Sequence, residues 1–484
     1  MTPAKLKCYS QYHRQNYPEV PRISPHLLAI QLRELWPALS QEFSCVFQYK
    51  KDADSPVEID SACFSAIGSV AELKVLINKT QIKYQVEIEN TTILTKHFPR
   101  DIESLGYPDF FKNLGPIIEK TKKLLCQHFH IPEEDHKSLC FFGGWKSIKM
   151  AETFQEIAVF TLPKMTLAQK NGLEVRQFIV DDSAKFSIDN LKYFPPEEAS
   201  FLKRQAVFQN TNLPERAEYI KKLTGVLEKI RESAISKVVL SRKKHIELTE
   251  APDPLKMSFL LAKNYWQVYD YSFQWNGKEF WFGVSPEVLL QKSERHIITK
   301  PLAGTRKTQM GDGIQEDDRF RNDPKENLEH ELAVNQMMSD LENICEYEKL
   351  INYSRKNILR LNYASHIKSE IYGYLKEGKN TFDVLSKLYP PATIWGVPKE
   401  LGEKLIADFE QFERSFFTGG LGYFTLEDES NFALVIRSAR LEGKSLELFA
   451  GGGIVKNSIP ELEWEEAQAK MTPLLSLICE ESAQ

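Results

Sequence analysis

Six stretches in the second half of the chain limit its fold more than any other feature: KVVLSRKKHIEL (237–248), YSFQWNGKEFWFGV (271–284), HIITKPLAGTRK (296–307), SFFTGGLGYFTL (415–426), FALVIRSARLEG (432–443) and SLELFAGGGIV (445–455). Most are built of β-branched and aromatic residues, with glycine where strands bend or pack closely, so each predicts a strand. Helical patterns lie between them. The best marked is DPKENLEHELAVNQMMSDLENICEYE (323–348), where Asp323 as N-cap, Pro324 at the first helical position and Glu326 at the third resemble a capping box. Strand runs with interspersed helices, and no regular βαβ alternation, predict α+β layers.

The first two hundred residues mix strand-like runs such as IAVFTL (157–162) with one good helix candidate, YPDFFKNLGPIIEKTKKLLCQHF (107–129). Gly115-Pro116 is expected to interrupt that helix, because proline lacks the donor a helix interior needs. A polar stretch (194–219) then leads into YIKKLTGVLEKIRES, whose Ile220, Leu223, Val226, Leu227 and Ile230 recur at helical spacing. The domain boundary is placed near residue 212.

At 484 residues and 42% hydrophobic content the chain has ample material for a packed core. Its net charge of -5, with lysines and arginines scattered, gives no phosphate-tracking surface, so nucleic acid is excluded as a partner. The N-terminal stretch lacks the apolar centre of a signal peptide and no run reaches ~18 apolar residues, so a cytoplasmic protein without a membrane partner is expected. Seven cysteines without a C-x-x-C pair suit reduced thiols, and the histidines, HFH at 128–130 included, have no partners at zinc-site spacing.

Near the C-terminus PELEWEEAQAKM (460–471) places Glu463, Glu466 and Lys470 on one helix face, and Glu326 and Glu329 share a face of the earlier helix. Solvated faces would read the same way, with a Glu466–Lys470 pair contributing about 0.2–0.5 kcal/mol. Alternatively, two helices each offering a carboxylate pair converge on one hard cation, for which Mg²⁺ with its preference for oxygen is the natural candidate. The glycine-rich FAGGGIV (449–455) and TGGLGY (418–423) permit close backbone approach to an anion or simply relieve crowding. Arg437, alternating with apolar neighbours, either turns inward to bind a carboxylate or outward to water.

Taken together, KVVLSR, GVSPEVLL, PLAGTR, KENLEHELAVNQM, YPPATIWGVPK, GGLGY, IRSAR, AGGGIV and ELEWEEAQAKM resemble, in order, the motifs of the chorismate-utilising enzymes: isochorismate, salicylate, anthranilate and aminodeoxychorismate synthases. The resemblance runs from about residue 215 to the end, and FFGGW (141–145) extends it loosely upstream. It implies layered antiparallel sheets with flanking helices, a variable α+β half over 1–211 and a chorismate-binding catalytic half over 212–484. It further implies Mg²⁺ held by Glu329 and Glu466, directly or through water, with Glu326 and Glu463 as neighbouring acids. Arg437, Lys470 and the amides of Gly451 and Gly453 are then expected at the substrate carboxylates.

Within that family, isochorismate and salicylate synthases carry a water-activating lysine in KVVL, here Lys237, where anthranilate synthases carry glutamine. Aminodeoxychorismate synthases have a nucleophilic lysine where this chain has Ala303, ahead of Gly304 and Thr305 in PLAGT. Glu287 of SPE matches the general acid for the departing 4-hydroxyl. Two features stand apart: Asn362 is read at the place of a histidine in an HL-x-S-x-V strand, with His366 four residues later, and Thr393 replaces the alanine of many isochorismate synthases, as in salicylate and anthranilate synthases. Phe417 stands where some relatives have tyrosine. The expectation is a Mg²⁺-dependent isochorismate synthase of menaquinone or siderophore synthesis, a monomer or weak homo-oligomer acting on chorismate. A salicylate synthase and a chorismate-binding protein without catalysis are the alternatives.

Overall fold

The structure, a computed structural model, describes residues 11–17, 24–35, 40, 43–50, 62–100, 107–129, 131–137, 139–147, 153–169, 173–179, 205–232, 234–265, 268–275, 279–308, 314–361 and 363–479. The elements that matter for the site are β1 (Cys140–Ser147), β2 (Lys237–Leu248), β3 (Leu302–Lys307), α1 (Pro324–Glu342), β4 (Ala364–Tyr374), β5 (Ser415–Thr425), β6 (Ser445–Val455) and α2 (Pro460–Leu475). Every one of the six strand-like stretches forms strand, and the α+β layering read from them is what the chain adopts.

Among the described residues the strands form two twelve-stranded sheets. One runs through Phe43–Tyr49, Tyr269–Trp275, Glu279–Ser285, Ser438–Glu442, β6, β2 and Gln205–Leu213; the other through β3, β4, His296–Lys300, Val288–Ser293, Ser430–Leu434, β5, β1 and Gln155–Leu162. Pairing is antiparallel throughout, except for a two-residue parallel contact of Gln205 and Ala206 with Ile478 and Cys479. Strands from either side of residue 211 are neighbours in both sheets, as where Phe43–Tyr49 pairs with Tyr269–Trp275 and β1 with β5. The sheets meet through an aromatic layer in which Phe47 and Phe64 of the first touch Tyr423 and Phe142 of the second at ring distances of 5.2–6.0 Å. Helices cover the outer faces, as the apolar side of a sheet requires.

Two expectations change on contact with the fold. The helix Tyr107–Phe129 runs unbroken through Pro116. Proline costs it one hydrogen bond, but Phe110, Phe111, Leu114, Ile117, Leu125 and Phe129 share one buried stripe whose burial, at roughly 1.5–3 kcal/mol per side chain, outweighs that loss. At the start of α1, Asp323 does cap, accepting from the amides of Lys325 (2.9 Å) and Glu326 (3.0 Å). Glu326 does not close the box; its Oε2 accepts instead from the amide of Thr305 at 2.8 Å, tying β3 to the helix.

The β1–β5 pairing depends on glycine. A Cβ at Gly420 would lie 2.1 Å from the Trp145 ring, which is fully buried and packs against Phe111, Tyr389 and Phe432. Gly420→Ala is therefore expected to destabilise the protein by about 1–3 kcal/mol, as overpacking does. Urea unfolding measures it, and an unchanged midpoint would refute the packing argument.

Candidate active site

The site lies where β2 begins and β6 ends. Their register pairs Lys237 with Val455, Val239 with Gly453 and Ser241 with Gly451. The amide of Val239 bonds to the carbonyl of Trp395 and that of Ser241 to Glu410, both away from β6, so Val239–Gly453 and Ser241–Gly451 are non-hydrogen-bonded pairs. Alternation then points the backbone groups of Gly451 and Gly453 away from β2, where the neighbouring strand Ser438–Glu442 has already ended at its Ala439–Leu448 pair. The Gly451 carbonyl is taken up there by Lys470 Nζ at 2.9 Å.

Glycine at these positions also makes room for acid. A Cβ on Gly453 would lie 2.0 Å from Glu329 Oε1, and one on Gly452 would lie 3.2 Å from Glu463 Oε2. Both readings of the glycine run thus apply: backbone is freed, and two helices bring carboxylates against it.

A cavity opens beside this strand pair. Of the residues singled out in the sequence, Glu287, Ala303, Thr305, Glu329, Thr393, Arg437, Gly451, Gly453 and Lys470 line it, together with His366 and Phe417. Gly304 sits behind the wall with a left-handed φ of 80°, and its Cβ position is filled by the Glu326 carbonyl. Glu326, Glu463 and Glu466 line a second, outer cleft that shares Thr305 with the first.

Lys237 lies on the same face of β2 as the cavity-lining Val239 and Ser241, with its Nζ behind the cavity-lining Glu329. Its side chain is wholly buried, its Nζ lies 3.5 Å from Glu329 Oε1, and no hydrogen bond of normal geometry satisfies it. Burial pulls the ammonium below the usual lysine range, against the pull of Glu329 and Glu287. Glu287 is buried as well, and burial raises its carboxyl to about 7 although a 2.6 Å bond from Thr393 Oγ1 and the charge of Lys237 work the other way. One cause, loss of water, favours the neutral form of both groups.

Arg437 turns inward. It holds a left-handed φ of 52°, a conformation costly for a residue with a Cβ and frequent at functional sites. Its Nη2 lies 2.8 Å from His366 Nε2, while Nη1 is buried with no hydrogen-bond partner. Arginine only donates, so His366 Nε2 accepts and its Nδ1 carries the proton toward Thr305 Oγ1 at 3.1 Å. Burial, then Arg437 and Lys470, hold the imidazole neutral, far below its ordinary range.

His366 corrects the reading of this strand. HIKSEI (366–371) satisfies the HL-x-S-x-V pattern, Ser369 bonding His330 at 2.7 Å, so the histidine of that strand is present as His366 and Asn362 does not replace it. Asn362 itself lies outside the described residues. Counting from the serine at 369 rather than from the start of the strand would have found it.

The four glutamates do converge, but on a residue the sequence reading passed over. Lys325 Nζ stands 3.1 Å from Glu463 Oε1, 3.2 Å from Glu326 Oε1, 3.5 Å from Glu329 Oε2 and 3.6 Å from Glu466 Oε2. Glu466 Oε1 pairs with Lys470 at 2.6 Å, and Glu463 Oε2 is buried with no hydrogen-bond partner. Burial raises the carboxyls of Glu326 and Glu463; for Glu466 burial is outweighed by Lys470 and Lys325 together, and its carboxyl stays below the usual range. Among the described residues no three acidic, His or Cys side chains already stand at metal-binding spacing. The all-oxygen donor set and the unsatisfied Glu463 oxygen nonetheless suit a hard divalent cation. An i, i+4 pair of Lys325 with Glu329 was the available signal.

A family model described as chorismate binding enzyme matches residues 140–476. The chain belongs to the chorismate-binding enzymes. The isochorismate synthase MenF of Bacillus subtilis is 28% identical over 389 residues, covering 75% of this chorismate-binding enzyme and 80% of that protein. Anthranilate synthase component 1 of Methanothermobacter marburgensis is 33% identical over 263 residues, covering 54% of this chain and only 56% of the archaeal one. The structure of MenF, the menaquinone-specific isochorismate synthase from Escherichia coli, superposes with a TM-score of 0.69 at 19% identity, over 97% of this chain and 95% of that one, which shows the shared fold. No helix among the described residues is long and apolar enough to cross a membrane.

The Glu287 environment gives a direct test. In protein without added metal, the carboxylic C=O infrared band that Glu287→Gln removes should titrate near pH 7, being protonated below and lost above. Thr393→Val, by removing the 2.6 Å bond that favours the carboxylate, should move that midpoint upward. A midpoint near 4.5 in both proteins would contradict the assignment.

Proposed function

We propose that this chorismate-binding enzyme is an isochorismate synthase. The observation that carries the reading is the pair Lys237 and Glu287, one a buried amine and the other a buried carboxyl, both pressed toward neutrality. A neutral amine is a base and a neutral carboxyl an acid at the same pH. Lys237 takes a proton from water as its oxygen bonds to C2 of chorismate; the double bonds shift, and the C4–O bond breaks with the hydroxyl leaving as water on the proton of Glu287. Water in and water out balance, and the proton returns from Lys237 to Glu287 to complete the cycle.

Arg437, Lys470 and the outward amides of Gly451 and Gly453 supply cationic and N–H donors for the substrate carboxylates, and the bond that Arg437 donates to His366 fixes the guanidinium that receives one of them. Ala303 presents no nucleophile, so an enzyme amine does not compete with water. Glu329 and Glu466, with Glu326 and Glu463 around them, are the residues that would hold Mg²⁺. When bound, the cation neutralises the ring carboxylate and so eases attack at C2.

A second reading, salicylate synthase, is favoured by Thr393 and by the presence of His366 in the cavity. The product decides between them. Pure protein with chorismate and Mg²⁺ is expected to yield isochorismate; salicylate and pyruvate in equal amounts as the main products would assign the second reading, and no turnover would leave a binding protein.

Lys237→Ala should lower kcat by about 10²–10⁴, the usual share of general base catalysis, while calorimetric binding of chorismate persists. Isochorismate formation by the variant at a comparable rate would mean that another group is the base. Because Glu287 must carry its proton, the rate should fall as pH rises through about 7 on the side set by the acid, and Thr393→Val should shift that limb upward.

A further inference from the structure

The arrangement around Lys325 has a consequence for how the site accepts metal. We propose that Lys325 is an internal counter-ion that occupies the metal position in the metal-free protein and exchanges with the divalent cation, swinging into the outer cleft as the metal enters. The inference rests on the reading of Glu326, Glu329, Glu463 and Glu466 as the metal-holding acids.

Each of the four carboxylates directs one oxygen at Lys325 Nζ, at 3.1–3.6 Å. Their other oxygens go elsewhere: Glu326 to the Thr305 amide, Glu329 toward Lys237 and Glu466 to Lys470, while that of Glu463 has no partner. The ammonium thus stands at the point the quartet shares. Magnesium requires oxygen at roughly 2.0–2.1 Å, so the same oxygens cannot close on the metal while an ammonium stands between them. Two cations at one point also repel, strongly so in a buried site. Entry of metal is therefore an exchange of a single charge for a double one.

The lysine has somewhere to go. Its side chain is 15% exposed and lines the outer cleft, whose walls include Asp323 and Glu465. Arg306 and Lys307 line the cleft as well, and Glu465, 62% exposed, pairs with Arg216 at 3.8 Å, so the displaced ammonium passes to a wet surface of mixed charge where water can solvate it. Filling the quartet from within lets the chain fold without metal, since uncompensated buried carboxylates would otherwise oppose it. The apparent metal affinity is lowered by the fraction of molecules in which Lys325 has withdrawn.

Two measurements test this. Calorimetric titration of metal-free protein with MgCl₂ should give saturable binding by the wild type and at least tenfold tighter binding by Lys325→Met, whose metal-free form should also melt at lower temperature. In the wild type, acetylation of Lys325 by acetic anhydride, mapped by mass spectrometry, should rise when Mg²⁺ is added. Binding by the variant that is equal or weaker, or labelling that is unchanged or falls with Mg²⁺, overturns the exchange while leaving the metal site intact. If neither protein binds Mg²⁺ and Glu466→Gln behaves alike, the metal reading fails and the exchange with it. Should Lys325→Met not fold, the labelling of the wild type decides alone.

Discussion

The site depends on one strand pairing. Because β2 and β6 are antiparallel with Lys237 opposite Val455, Gly453 falls beside Glu329 of α1, Gly452 beside Glu463 and Glu466 of α2, and the Gly451 carbonyl beside Lys470. A slip of one residue would exchange the faces of β6, putting either Ala450 and Gly452 or Gly452 and Ile454 where Gly451 and Gly453 now stand, so that a side chain would enter the space the glycines leave open. With that register, Glu329 reaches within van der Waals distance of backbone, Lys470 finds the Gly451 carbonyl, and the cavity gains a wall of unpaired backbone groups. The helices contribute acids; the strands decide where the acids meet.

Dehydration then sets the chemistry. Lys237, Glu287 and His366 are all fully enclosed, and in each the largest influence on ionisation is loss of water. For an amine and a carboxyl this favours the neutral forms of both, the forms the proposed mechanism uses, while for His366 it favours the neutral ring that accepts from Arg437. Charge survives where it is paired, as for Glu466 beside Lys470 and Lys325. The acidic quartet is the densest case, and it is tolerated because a lysine from the same helix as two of its members fills it.

Much of this was legible in the sequence. The strand runs, the capped start of α1 and the helical spacing of Glu463, Glu466 and Lys470 are local patterns, and local patterns persist in the fold. The ordered motifs pointed to the family that residues 140–476 match. What could not be read were facts of three dimensions. That Glu326 bonds the Thr305 amide rather than its own N-cap depends on where β3 passes. That helix 107–129 survives Pro116 depends on a stripe buried by distant residues. His366 is found only by counting back from Ser369, because the HL-x-S-x-V spacing, and not the stretch LNYASHI before it, carries the signal. Lys325 was passed over because a lysine beside two glutamates is, in one dimension, an ordinary surface pattern.

The central claim is that Lys237 delivers water to C2 while the 4-hydroxyl departs. Turnover of chorismate in H₂¹⁸O with Mg²⁺, followed by mass spectrometry of the product, tests it most directly. The account predicts isochorismate carrying one ¹⁸O atom, located at C2, in every molecule formed. Isochorismate without label, its hydroxyl carried over from C4 of the substrate, would contradict it.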